Sequence, residues 1–178
     1  MRIDTNKINN WKVATKTKSI KAKPLINLLV DRSVTSKFLV DTLEGKEPLG
    51  DGSVICIGES MDCWQQMPKK LLQKYNVVAI DNDGWMICEP RPDNAVNCFE
   101  VTNQILNDDV SYAVKPPDNE MYKAWEFFII GLWGETTPFG KNTQWGMIGD
   151  FICQNPSDPT DVWVVRKKIF NNTYSVKS

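Results

Sequence analysis

The chain of 178 residues is long enough for one domain of ordinary size or two small ones. Hydrophobic residues at 42% and charged residues at 24% match globular proteins and argue against wholesale disorder. A net charge of −1 gives no overall pull toward nucleic acid or membrane, and the complete lack of histidine excludes Ser-His-Asp and Cys-His nucleophiles, histidine-ligated metals and histidine acid–base chemistry.

The charge is uneven along the chain. Residues 1–23 carry Arg2, Lys7, Lys12, Lys16, Lys18, Lys21 and Lys23 against Asp4 alone, so this stretch is +6 and the remainder −7. The pattern predicts a solvated basic arm, with contact to phosphates or an acidic partner as its functional alternative. From Pro24 the run PLINLLV (24–30) reads as a buried strand and KFLVDTL (37–43) as a second. SVICIG (53–58) is β-branched and apolar, which suits a strand. Pro68 opens a short helix over 68–75, because its missing N–H is not needed in the first turn. NVVAI (76–80) and WMICE (85–89) are strands, joined by Asp81-Asn82-Asp83-Gly84 in a tight hairpin.

Pro90-Arg91-Pro92-Asp93 is the clearest break, since two prolines so close do not fit inside a sheet. AVNCFEVT (95–102) begins a new strand. In the apolar run 121–133, aromatic and β-branched residues favour a strand from 126. Residues 134–146 (GETTPFGKNTQWG) read as a long loop. IGDFIC (148–153) and VWVV (162–165) read as strands, 166–171 as a short helical piece and 173–176 as a closing strand.

Two stretches match each other. Gly52, Ile55 and Cys56 align with Gly149, Ile152 and Cys153, and Trp64 with Trp163. Five residues past each Trp stand Lys69 and Lys168; eleven past stand Tyr75 and Tyr174, followed by Val77 and Val176. The fold expected is α+β: two related halves of antiparallel strands with short helices, forming one compact unit or two small domains. The basic arm (1–23) is followed by the first half (24–92) and by the second (93–178) with its loop insertion. In each half the Trp is the large apolar anchor, and the Tyr is expected with its ring inward and its hydroxyl at the rim.

The segments 40–75 and 149–174 resemble the PGDYG-type family of small phage and bacterial proteins. The family pattern runs from Gly-Asp-aromatic through a strand, a Gly-Glu step and a Trp or Tyr to a short helix ending in Phe and Tyr. Gly149, Asp150, Phe151, Trp163, Phe170 and Tyr174 fit it in the second copy. In the first, Gly58 and Glu59 fit the Gly-Glu step, but three extra residues precede Trp64 and Ser53 stands at the Asp position. The resemblance implies a phage or mobile-element setting and supplies no catalytic residues. It suggests an accessory protein that binds and inhibits a host protein, a defence component among the candidates.

Five cysteines without a CxxC pair suit reduced, buried thiols and a cytoplasmic location, with no structural zinc and no cofactor. No apolar run reaches the roughly 18 residues of a membrane span, and the N-terminus lacks the apolar stretch of a secretory signal. For an enzyme, Asp81, Asp83, Glu89 and Asp93 are the candidate acids, although turn chemistry accounts for the first two. The binding residues expected are Trp145 and Phe139 on the 134–146 loop, Lys141, Arg91 and Arg166 for an anionic ligand or acidic partner, and the anchors Trp64 and Trp163. The readings are a host-protein inhibitor, a sponge for a small nucleotide signal, a carboxylate-dependent enzyme and a virion component.

Overall fold

A computed structural model describes residues 1–24, 39–42, 45–48, 50, 52–107, 110–114 and 120–177. The chain forms an α+β fold of mainly antiparallel sheets with short helices, divided into two compact units: Met1–Ala14 with Ala95–Ser178, and Thr15–Asn94. In chain order, the first strands are β1 (Arg2–Ile3), β2 (Lys12–Lys16) and β3 (Ile20–Pro24). Next come β4 (Leu39–Thr42) and β5 (Gly45–Pro48), then β6 (Val54–Ile57) and β7 (Cys63–Gln66). Helix α1 (Pro68–Lys74) leads into β8 (Tyr75–Ile80) and β9 (Met86–Pro90). β10 (Ala95–Glu100), β11 (Ser111–Tyr112), α2 (Glu120–Lys123), β12 (Phe127–Thr137) and β13 (Gly140–Gly146) follow. The chain closes with β14 (Phe151–Asn155), β15 (Asp158–Val165), α3 (Lys167–Thr173) and β16 (Tyr174–Val176).

The 15–94 unit holds a five-stranded sheet in the order β7-β6-β3-β9-β8, beside a β4-β5 pair. Its core is Ile20, Ala22, Val54, Cys56, Leu71, Tyr75 and Cys88, with Trp64 and Met86 packed against it. Strand alternation explains the set: β6 sends Val54 and Cys56 to the helix-covered face, and α1 closes that face with Leu71. Pro68 stands at the first helical position, as its chemistry requires. The β8–β9 turn is held by the Asp81 carboxylate, which accepts from the N–H groups of Asp83 and Trp85, with Gly84 at φ +79°.

The other unit has a five-stranded sheet in the order β15-β14-β10-β2-β16 and a four-stranded sheet, β11-β1-β12-β13. The five-stranded sheet buries Ala14, Val96, Cys98, Phe151, Cys153, Val165, Phe170 and Tyr174. A second core of Ile3, Ile8, Val101, Ile105, Phe127, Ile129, Ile152, Val162 and Val164 joins β1 and β12 of the four-stranded sheet to β14 and β15 of the five-stranded one. Phe151, Phe170 and Tyr174 stack in series at 3.7 and 4.7 Å between ring centroids. Matched by position from the Trp, the two five-stranded sheets share one order. Cys56 lies opposite Trp64 and Cys153 opposite Trp163, and each seven-residue helix starts four residues after its Trp. The position that β9 fills in one sheet is filled by β2 in the other.

Three sequence expectations change. Residues 1–23 are not a solvated arm: they supply β1, β2 and most of β3, and bury Ile3, Ile8, Ala14, Ile20 and Ala22. In β3 the lysines Lys21 and Lys23 alternate with the buried Ile20 and Ala22, a period-2 pattern that net charge alone conceals, whereas in β2 Lys12 and Lys16 share the face of Ala14, Lys16 lying over the Trp64 and Tyr75 rings. The Tyr75 hydroxyl is not at a rim; the side chain is 1% exposed and its hydroxyl has no hydrogen-bond partner. Residues 134–146 are not a loop but most of a hairpin, because Thr143 and Gln144 satisfy their polar groups inside and allow β13 to pair along β12. The strand expected over 24–30 lies outside the described residues except for Pro24, and of the 37–43 strand only Leu39–Thr42 is described.

Candidate functional site

The β12–β13 hairpin departs from regular pairing at one place. Ile130 and Glu135 both take Thr143 as partner, so Gly131-Leu132-Trp133-Gly134 leave the ladder as a four-residue bulge. Both bounding glycines are required by space. A Cβ on Gly131 would stand 2.6 Å from the carbonyl oxygen of Val162, and one on Gly134, at φ +135°, 2.6 Å from that of Thr143.

Gln144, 1% exposed, replaces the lost ladder bonds. Its Nε2 donates to the carbonyls of Trp133 (2.7 Å) and Val162 (3.3 Å), and its Oε1 accepts from the Val164 N–H (3.0 Å). The outcome is display: Leu132 is 38% exposed and Trp133 57%, two large apolar side chains side by side on a backbone fixed from below.

An aromatic cluster belongs to the same hairpin. Trp125 stacks on Trp145 at 5.4 Å, Phe128 on Phe139 at 4.6 Å, and Tyr122 meets Trp125 and Phe139 edge-on. The Arg166 guanidinium lies 4.0 Å from the Trp145 ring centroid and forms a 2.8 Å ion pair with Asp150. Asp150, buried, also accepts from the N–H groups of Met147 and Lys167, and so ties the start of α3 to the turn before β14.

Of the expected binding residues, the structure brings Trp145, Phe139 and Arg166 into this one cluster. Trp145 is half-buried within the stack and not displayed on a loop. Lys141 is exposed on β13. Arg91 sits in the other unit, paired with Asp93 in the proline-rich break. Trp64 and Trp163 flank their cores, with Lys16 5.1 Å from the Trp64 ring. Sequence reasoning missed Leu132, Trp133, Gln144 and Trp125. The available signal was the pair of glycines bracketing Leu-Trp inside an apolar strand, which marks a bulge.

Two of the four candidate acids, Asp81 and Asp93, carry structural duties. A hydrogen bond from Lys21 holds Asp81 below the usual carboxylate range, and Arg91 does the same for Asp93. Burial raises the Cys63, Cys88 and Cys98 thiols, and lifts Cys56 to about 12. Among the described residues, no group of three or more Cys, Asp or Glu side chains is placed to hold a metal ion, and no helix is long and apolar enough to cross a membrane. Comparison with protein-family models, curated proteins and solved structures finds no match for the chain.

Proposed function

We propose that this chain is a non-catalytic binding protein that docks on a partner protein through Leu132 and Trp133. One observation carries the reading: the bulge uses two glycines under tight steric constraint and a buried glutamine to turn two large apolar side chains toward the surface, Leu132 38% and Trp133 57% exposed. Rigid, exposed Trp is the residue type that dominates protein–protein binding energy. The aromatic cluster with Arg166 is the foundation under the hairpin. In the phage-type setting that the resemblance to PGDYG-type proteins implies, the partner is a host protein and docking inhibits it. We also read the two five-stranded sheets as copies of one ancestral unit, supported by the shared strand order and the recurring Cys–Trp pair.

A nucleotide sponge is less well supported, because Arg166, the cation on the stack, is already neutralised by Asp150. A thermal-shift screen against nucleotides and cyclic nucleotides, run beside affinity capture from bacterial lysate, separates the two. The proposal expects one stoichiometric protein partner and no shift. A rise in Tm with one nucleotide class, together with an empty capture, would replace it with the sponge.

A further inference from the structure

Among the described residues, β8 is the outer strand of its sheet. Every residue from Asn76 to Ile80 is exposed, Val78 at 52% and Ile80 at 69%, and the strand contains neither charge nor proline, two devices that protect a sheet edge. Its ladder to β9 slips by one residue between Val77 and Ala79. That slip sets which backbone groups face outward. Before it, the Lys74 carbonyl accepts from the Arg91 N–H, so Lys74 and Asn76 face β9 while Tyr75 and Val77 face out. After it, the Asp81 N–H donates to the Trp85 carbonyl, so Ala79 and Asp81 face inward while Val78 and Ile80 face out. Tyr75 offers only its carbonyl, since its N–H closes α1 on the Leu71 carbonyl.

We propose that this edge pairs antiparallel with the same edge of a second copy of the chain, about a two-fold axis between Val77 and Val78. In that register Val77 lies against Val78 of the second copy, and Tyr75 against Ile80 of the second copy. Outward-facing groups meet outward-facing groups at each pair, a match that an unbulged strand would not give in this register. Charge is compatible with the same arrangement. Lys74 precedes the strand and Asp81, ion-paired with Lys21 of its own chain, follows it, so the antiparallel pair sets Lys74 near the Lys21–Asp81 pair of the second copy at both ends, whereas a parallel pair would set like charge against like. The interface is isologous, as a two-fold dimer requires.

One short strand pair covers less than the ~1,200–2,000 Å² of a standard stable interface, so the dimer should be reversible with concentration. Sedimentation of the intact chain across micromolar concentrations should show the mass rising from 20.3 kDa toward twice that value. Hydrogen exchange at the Val78 and Ile80 amides should slow in step. Val78→Lys, on an exposed side chain, should keep the Tm and abolish the rise by facing two cations across the axis. Lys74→Glu should weaken it by placing Glu against Asp81. A wild-type mass fixed at 20.3 kDa overturns the proposal. So does a dimer that survives Val78→Lys, which would put the contact on another surface.

Discussion

Cys56 stands directly opposite Trp64 in the β6–β7 ladder, fully buried, and accepts a 3.1 Å hydrogen bond from Gln66 Nε2. Burial lifts its thiol from the ordinary 9.0 to about 12, the Gln66 bond pulling the other way. The folded state therefore keeps a proton that the unfolded chain releases above about 9. The stability from this neutral thiol is complete below that pH and is lost as pH climbs from about 9 to 12, at about 1.4 kcal/mol per pH unit. Urea denaturation at pH 7, 9 and 10 should show an alkaline decline that is shallower in Cys56→Ala. Identical slopes in the two proteins would show that this thiol does not govern the decline.

Tyr75 gives a prediction of opposite character. Its hydroxyl is buried among Cys56, Asp62 and Cys88 with no hydrogen-bond partner, and burial raises its ionisation well above the usual phenol range. Tyr75→Phe removes a polar atom that contributes only a desolvation cost, and should leave stability unchanged or raise it by about 1 kcal/mol. Leu71→Ala, in the same core, should lose about 2–5 kcal/mol. Chemical denaturation of the two variants checks the contrast; a clear loss in Tyr75→Phe would mean that the hydroxyl has a partner in solution.

The bulge responds to small changes. Gly131→Ala and Gly134→Ala each drive a methyl group to 2.6 Å from a carbonyl oxygen, and Gly134 also holds a left-handed φ, so each should cost about 1–3 kcal/mol. Gln144→Leu leaves two carbonyls and one N–H to find new partners and should cost at least as much, about 2–4 kcal/mol. Differential scanning calorimetry reads the loss. Tryptophan fluorescence should shift as Trp133 leaves its fixed position. Variants as stable as the wild type would show that the bulge is not held as the geometry implies.

Much of the architecture was legible in the residues. Pro68 marked the start of α1, Asp81 to Gly84 the β8–β9 turn, and the Cys, Trp and Tyr spacing two hairpins that each pair a Cys with a Trp and lead into a seven-residue helix. What escaped was set by distant partners. β13 is rich in Gly, Thr and Asn and reads as a loop until β12 pairs with it, and Gln144 is polar yet buried because three backbone groups converge on it. The lysines of β2 and β3 conceal Ala14, Ile20 and Ala22, which enter the cores. Leu132 and Trp133 read as core because they extend an apolar run, and only the flanking glycines mark their outward turn.

The central claim is that Leu132 and Trp133 form the docking surface. Affinity capture with the wild type and with a Leu132→Ala/Trp133→Ala variant of unchanged Tm tests it most directly. The account predicts that a partner held stoichiometrically by the wild type binds the variant at least about 30-fold more weakly, the loss of a hot spot worth about 2 kcal/mol or more. Equal capture of the same partner by both proteins would contradict it.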